Sequence, residues 1–157
     1  MADKYIRRTD ASGDTVREYA LGGTGFIPYQ GNGGSYVVFA KITAQNTGSS
    51  MASILVAGVG RVLDNSSGLF LLQIRYSNRA IANVQVNQLV APTRAVEFGY
   101  YMDGNTAYIG VYRSMNYASA LSATLMGYDP NGAIKYEVGN FYAGTTQPTG
   151  WTQLTIS

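Results

Sequence analysis

The 157-residue chain contains no cysteine and no histidine. Thiol nucleophiles, disulfides, imidazole bases and the usual zinc ligands are thereby excluded together. Charge is scarce as well: 13% of residues are charged, against roughly 25% in ordinary soluble domains. The net charge is only +2 and the cations are scattered apart from Arg7 and Arg8, so the dense basic stripe that tracks phosphates is missing and no nucleic-acid partner is expected. No apolar run approaches the ~18 residues of a membrane helix, and residues 1–10 are too polar for a signal peptide. Apolar residues do not recur at helical spacing over any full window, and only residues 114–123 offer one or two helical turns.

In place of charge the chain carries 13 Tyr and 19 Gly, with many Asn, Gln, Ser and Thr. Disorder does not fit, because Val, Ile, Leu, Phe and Tyr recur in patterned runs at low net charge. A charge-poor, aromatic-rich surface suits a subunit that hides part of itself in a homo-oligomer. One domain is the default at this length.

Residues 1–35 concentrate charge and end in a glycine-rich stretch, which predicts a connector or leader ahead of a head domain at 36–157. Within the leader, residues 4–8 and 16–21 are candidate short strands around a turn at 10–13. From Tyr36 the period is two: Tyr36, Val38, Ala40, Ile42 and Ala44 alternate with Val37, Phe39, Lys41 and Thr43. Residues 51–58 and 69–76 repeat the theme, and residues 84–89 alternate Val84 and Val86 with Gln85 and Asn87. Val96, Phe98, Tyr100 and Met102 line one face opposite Glu97, Gly99 and Tyr101. Asp103-Gly104 follows, before a run over 106–112, and predicts a hairpin, since both turn residues tolerate positive φ. Asp129-Pro130-Asn131-Gly132 has the order of a type I turn between runs 121–128 and 134–141. A last strand is expected over 151–156. Nine or ten short strands with frequent turns predict an all-β, antiparallel β-sandwich of jelly-roll type.

The search for chemistry yields little. Carboxylates are the common acids and bases left, and a pair of them can hydrolyse glycosides. Asp103 and Asp129 are accounted for by turns, Asp64 by a loop, and Glu97 and Glu137 by the polar sides of strands, so no catalytic residue is assigned. The stretch 64–68 has one carboxylate and no following Glu, unlike a calcium loop. The glycine runs at 22–25 and 31–34 lack the lysine of a phosphate loop. No metal site and no cofactor are expected, and the chain reads as a protein that binds rather than catalyses. Tyr100, Tyr101, Tyr108, Tyr112, Tyr117 and Trp151 are the candidate ligand-binding residues, with Tyr100 expected near Tyr108 across the hairpin. Tyrosines commonly fill buried positions with the hydroxyl reaching a partner. Among Asn, Ser and Gly they also give a flat, adaptable contact surface.

The run Tyr36-Val37-Val38-Phe39-Ala40-Lys41-Ile42-Thr43, followed by segments 68–76, 84–89 and 107–112 with Met115-Asn116-Tyr117, resembles the C-terminal head domains of bacteriophage tail fibres and tail spikes. The ending Pro148-Thr149-Gly150-Trp151-Thr152 resembles a fibre terminus. The resemblance covers residues 36–157. It implies a homotrimeric receptor-binding head of the virion tail, acting outside the cell. The N-terminal segment would dock to other tail components, and the head would hold a host cell-surface saccharide without catalysis. Two alternatives stand beside it: a structural virion jelly-roll protein, such as a capsid decoration or collar subunit, and a carbohydrate-binding module of a bacterial enzyme.

Overall fold

The structure, a computed structural model, describes residues 5–9, 15–19, 34–59, 68–92, 96–113, 121–128 and 134–157. Eleven strands and no helix occur among them, in the order β1 (Tyr5–Thr9), β2 (Thr15–Tyr19), β3 (Ser35–Ala44), β4 (Ser49–Val59), β5 (Gly68–Ser77), β6 (Ala80–Val90), β7 (Val96–Asp103), β8 (Thr106–Arg113), β9 (Ser122–Tyr128), β10 (Ile134–Gly144) and β11 (Thr152–Gln153). The two strands expected in the leader pair antiparallel, Tyr5 with Tyr19 through Thr9 with Thr15. The others form a five-stranded sheet, β10-β3-β8-β7-β11, and a four-stranded sheet, β6-β5-β4-β9. All strand pairings in both are antiparallel. The all-β, two-sheet architecture expected from the two-residue period is what the chain adopts.

The core lies between the sheets. Ile54 and Val56 of β4, Phe70, Leu72 and Ile74 of β5, Phe98 of β7 and Ala107, Ile109 and Val111 of β8 are all at most 1% exposed. Each set follows the alternation that sends every second side chain to one face. Phe98 is the aromatic bridge across the gap, 4.9 Å from Phe70 and 6.3 Å from Phe39 between ring centroids. Tyr76, fully buried, donates its hydroxyl to the Asn105 carbonyl at 2.8 Å, so its one polar atom is satisfied while it joins the four-stranded sheet to the tip of β7–β8. Arg113 continues the inward row of β8 and is 1% exposed; burial lowers its pKa.

The structure departs from the sequence pattern in four places. In β3 a bulge falls between Val38 and Ala40, so two residues oppose one on β8. Val37, Phe39, Ala40, Ile42 and Ala44 therefore face the core while Tyr36, Val38, Lys41 and Thr43 face outward, instead of one unbroken alternation. In the β7–β8 hairpin Asp103 pairs with Thr106, which makes Gly104 and Asn105 the turn residues, one position later than expected. Gly104 has φ 55°, the positive value the first position of a type II′ turn requires. The β5–β6 hairpin turns on Asn78 and Arg79, both with positive φ (52° and 61°), a type I′ pattern without the glycine that usually signals it. Finally, β9 and β10 lie in different sheets and do not pair with each other; the turn expected at 129–132 lies outside the described residues, as do 114–120 of the candidate helical turns.

The C-terminal segment also differs from the single strand expected. Thr152 and Gln153 pair with Tyr100 and Gly99 of β7, and Leu154 N–H donates to the Phe98 carbonyl at 2.8 Å. The chain then crosses to the other sheet, where Ser157 N–H donates to Val86 O at 2.8 Å and Gln88 N–H donates to Ser157 O at 2.9 Å. Residues 152–157 thus strap the β7 edge of one sheet to the β6 edge of the other.

Candidate functional site

The outward face of the five-stranded sheet carries the polar and aromatic side chains, and the strand registers arrange them in four rows. The first row is Gly144, Tyr36, Tyr112 and Glu97, and the second is Tyr142, Val38, Gly110 and Gly99. The third is Glu137, Lys41, Tyr108 and Tyr101, and the fourth is Lys135, Thr43, Thr106 and Asp103. Neighbouring side chains along a row are about 5 Å apart and successive rows about 7 Å apart, as the spacing of a pleated sheet dictates.

Two aromatic clusters stand on this face. In the first, Tyr36 is 4.7 Å from Tyr112 and 5.4 Å from Trp151, the latter edge to face. Trp151 lies over Gly99: a Cβ there would overlap the indole, so glycine is what lets the ring sit flat on the strand. Val38, although on the outward face and outside the core cluster, has no exposed surface. The loop after β10 joins in, with Tyr36 donating to Gln147 Oε1 at 3.1 Å and Tyr142 to Thr146 O at 2.9 Å. Tyr36, Tyr112, Tyr142 and Trp151 are half-buried and together cover Val38.

The second cluster is more open. Tyr101 and Tyr108, direct cross-strand partners, stack with centroids 4.9 Å apart and planes 10° from parallel. Phe141 meets Tyr108 at 6.4 Å, edge to face, and is 37% exposed. Beside the stack, Glu137 accepts from Lys135 at 3.0 Å and lies 3.6 Å from Lys41 Nζ. Burial raises the Tyr101 pKa above that of a free tyrosine, and Tyr108, Asp103 and Tyr142 raise it further, so the phenol stays a hydrogen-bond donor well into the alkaline range. Flat rings, hydroxyls, ammonium groups and a carboxylate therefore share one surface.

The expected residues are distributed unevenly over this geometry. Tyr101 and Tyr108 come together in the stack, and Tyr112 and Trp151 in the packed cluster. Tyr100 does not join Tyr108: it pairs with Ile109 and packs inward against the core, because the hairpin register puts Tyr101 opposite Tyr108. Tyr117 lies outside the described residues. Sequence reasoning missed Tyr36, Lys41, Glu137, Phe141 and Tyr142 as members of the site. Their placement depends on β3 pairing with β8 and β10 across large sequence separations and on the bulges in β3 and β10, for which no local signal exists.

Among the described residues no group of three or more Asp or Glu is placed to hold a metal ion. Glu97 and Asp103 stand at opposite ends of β7, about 20 Å apart at the rise of an extended strand, which is wider than the roughly 5–10 Å of a glycosidase pair. Asp64 and Asp129 lie outside the described residues.

No family model matches the sequence, and no curated protein matches it. The fold does have a counterpart among solved structures: WceF of Pantoea stewartii, described as a glycan biofilm modifying enzyme with a bacteriophage tailspike-like parallel beta-helix fold. The TM-score is 0.59 at 11% identity, with 95% of this chain covered. The chain spans only 25% of the length of that protein. What the likeness carries is the arrangement of strands over the matched part; the two main sheets here are antiparallel. The comparison corrects one expectation. The expectation of a chain that binds rather than catalyses, drawn from the missing histidine and cysteine and from structural roles for the carboxylates, does not stand, because a solved structure with a similar strand arrangement is named as an enzyme. The turn, loop and strand roles of Asp103, Asp129, Asp64, Glu97 and Glu137 were insufficient grounds, since a carboxylate with such a role is still an acid or base of the kind that breaks glycosidic bonds.

Proposed function

We propose that this chain is a carbohydrate-engaging domain of a phage tailspike-type protein, and that it holds a saccharide of a bacterial surface on the outward face of the five-stranded sheet. The observation that carries the reading is the Tyr101–Tyr108 stack, a flat aromatic surface flanked by Lys41 and Glu137. Sugar rings present C–H groups that pack on aromatic faces and hydroxyls that exchange hydrogen bonds with charged and phenolic groups, which is the chemistry assembled here. The fold likeness to a tailspike-like, glycan-modifying protein supports the same class of ligand. The head is proposed to act on the virion tail as a homotrimer, with residues 1–35 as the connector to other tail components and 36–157 as the head.

The test is an array of bacterial surface polysaccharides probed with the full chain and with Tyr101→Ala and Tyr108→Ala, alongside an assay for newly released reducing ends. Binding to at least one polysaccharide, weakened about tenfold or more by each substitution, is expected; a tenfold loss is about 1.4 kcal/mol. Retention of full binding by both variants, or no binding by the unsubstituted chain, overturns the reading. Release of reducing ends would extend it from holding the glycan to cleaving it.

A further inference from the structure

The C-terminal strap leaves β7 after Leu154 and reaches β6 at Ser157. Because the strap and β7 diverge there, a wedge opens between them: a groove of about 490 Å³ lined by Val96, Glu97, Gln153, Leu154, Thr155 and Ile156. That volume is within the range of small-molecule sites. Its walls are of two kinds. Val96, Leu154 and Ile156 also pack against the core, which fixes the groove in place, while Glu97, Gln153 and Thr155 offer a carboxylate, an amide and a hydroxyl.

Glu97 connects this groove to the aromatic face. It is the cross-strand partner of Tyr112, at the end of the first row, and its charge contributes to the raised pKa of Tyr36. Along β7 it stands four residues from Tyr101, about 13 Å at the rise of an extended strand. Trp151 lies between the two positions, over Gly99.

We infer that the Glu97 groove is a second saccharide subsite, separate from the Tyr101–Tyr108 stack and aligned with it along β7. The inference rests on the proposed carbohydrate reading and adds to it the length of the ligand: an oligosaccharide spanning both positions, in place of a single sugar on the stack. The Glu97 carboxylate accepts from two sugar hydroxyls, Gln153 and Thr155 supply the complementary donors and acceptors, and Val96, Leu154 and Ile156 contact the ring carbons. The ligand class is a polyhydroxylated, uncharged or cationic sugar, since an anionic one would meet the carboxylate.

The experiment is amide chemical-shift mapping of the full chain, titrated separately with glucose, galactose, N-acetylglucosamine, glucosamine and glucuronic acid. Each goes to about 50 mM, well above the millimolar affinity expected of a single sugar held by a few contacts. At least one neutral or amino sugar is expected to shift the amides of Glu97 and residues 153–156, with glucuronic acid the weakest there. Glu97→Ala should weaken that response about tenfold, in line with loss of a hydrogen bond to a charged group, while leaving any shifts at Tyr101 and Tyr108 in place. Glu97→Gln, which keeps the shape, guards against an effect of misfolding and should weaken it similarly. Shifts confined to Tyr101 and Tyr108 overturn the second subsite and leave the proposed function standing. Shifts in the groove alone, with none at the stack, overturn the location of the site in the proposed function. Absence of shifts from both overturns the second subsite, while the polysaccharide array decides the proposed function.

Discussion

Arg79 occupies positive φ in the β5–β6 turn, a conformation that costs a residue with a Cβ about 1–2 kcal/mol. Arg79→Gly is therefore expected to stabilise the fold by about 1 kcal/mol, less the greater entropy glycine gains when unfolded, and a urea midpoint shift at unchanged slope checks it. Gly99 is constrained in the opposite sense, since the Trp151 indole fills the space of its missing side chain. Gly99→Val should displace the ring and cost about 1–3 kcal/mol. As Trp151 is the one tryptophan, a red shift and altered quenching of its fluorescence report the displacement without ambiguity. Titration supplies a third prediction. Tyr36, Tyr76 and Tyr101 all have pKa values raised by burial. Their neutral forms are favoured by folding, so their contribution to stability is complete below pH 10, the ordinary tyrosine value, and is lost as pH rises from there through the folded values. Melting temperature should fall more steeply above pH 10 for the unsubstituted chain than for Tyr101→Phe, as followed by calorimetry with phenolate absorbance. Equal slopes would show that Tyr101 titrates alike in both states.

At the scale of elements, the strap and the bulges decide how the strands are used. Residues 152–157 give partners to the Phe98 and Val86 carbonyls and to the Gln88 amide, and Leu154 and Ile156 pack against the core. Deleting 152–157 leaves the β6 and β7 edges without these partners. The expected outcome is a loss of about 2 kcal/mol or more, from two half-buried aliphatic side chains returned to water and the backbone hydrogen bonds of the strap, together with concentration-dependent association through the bared edges. Denaturant unfolding and sedimentation measure the two effects separately, and a deletion variant as stable as the full chain would refute the role of the strap. The bulge in β3 is equally consequential for the site. By inserting one residue at Phe39 it keeps Phe39 and Ala40 both in the core and turns Lys41 outward beside Tyr108. The alternation of Tyr36 to Ala44 was legible, but the residue at which it changes phase was not, because a bulge is fixed by the partner strand.

For the molecule as a whole, charge is the property to test. With 13% charged residues, the chain leaves Met51, Met126, Leu89 and Val90 exposed at 49–58%, a distribution that suits contact between copies. The proposed trimer predicts a mass of about 50 kDa by light scattering, three times 16.8 kDa, and Met51→Glu with Met126→Glu should lower it. A mass of a single chain at all concentrations would remove the trimer from the proposal.

Side-chain period and turn chemistry are local properties of consecutive residues, so the sequence was enough to show that the protein is built of strands, which of β7's faces is apolar, and that a hairpin joins β7 to β8. It also placed Tyr101 and Tyr108 among the candidate residues, though with Tyr100 expected as the nearer neighbour. Long-range packing is what brings Tyr36, Lys41 and Glu137 beside them, parts β9 and β10 into different sheets, and makes the C-terminus strap two edges together. Those outcomes depend on pairings between residues as many as about a hundred positions apart, whose registers are set by the packing of both sheets at once and leave no mark on either partner alone.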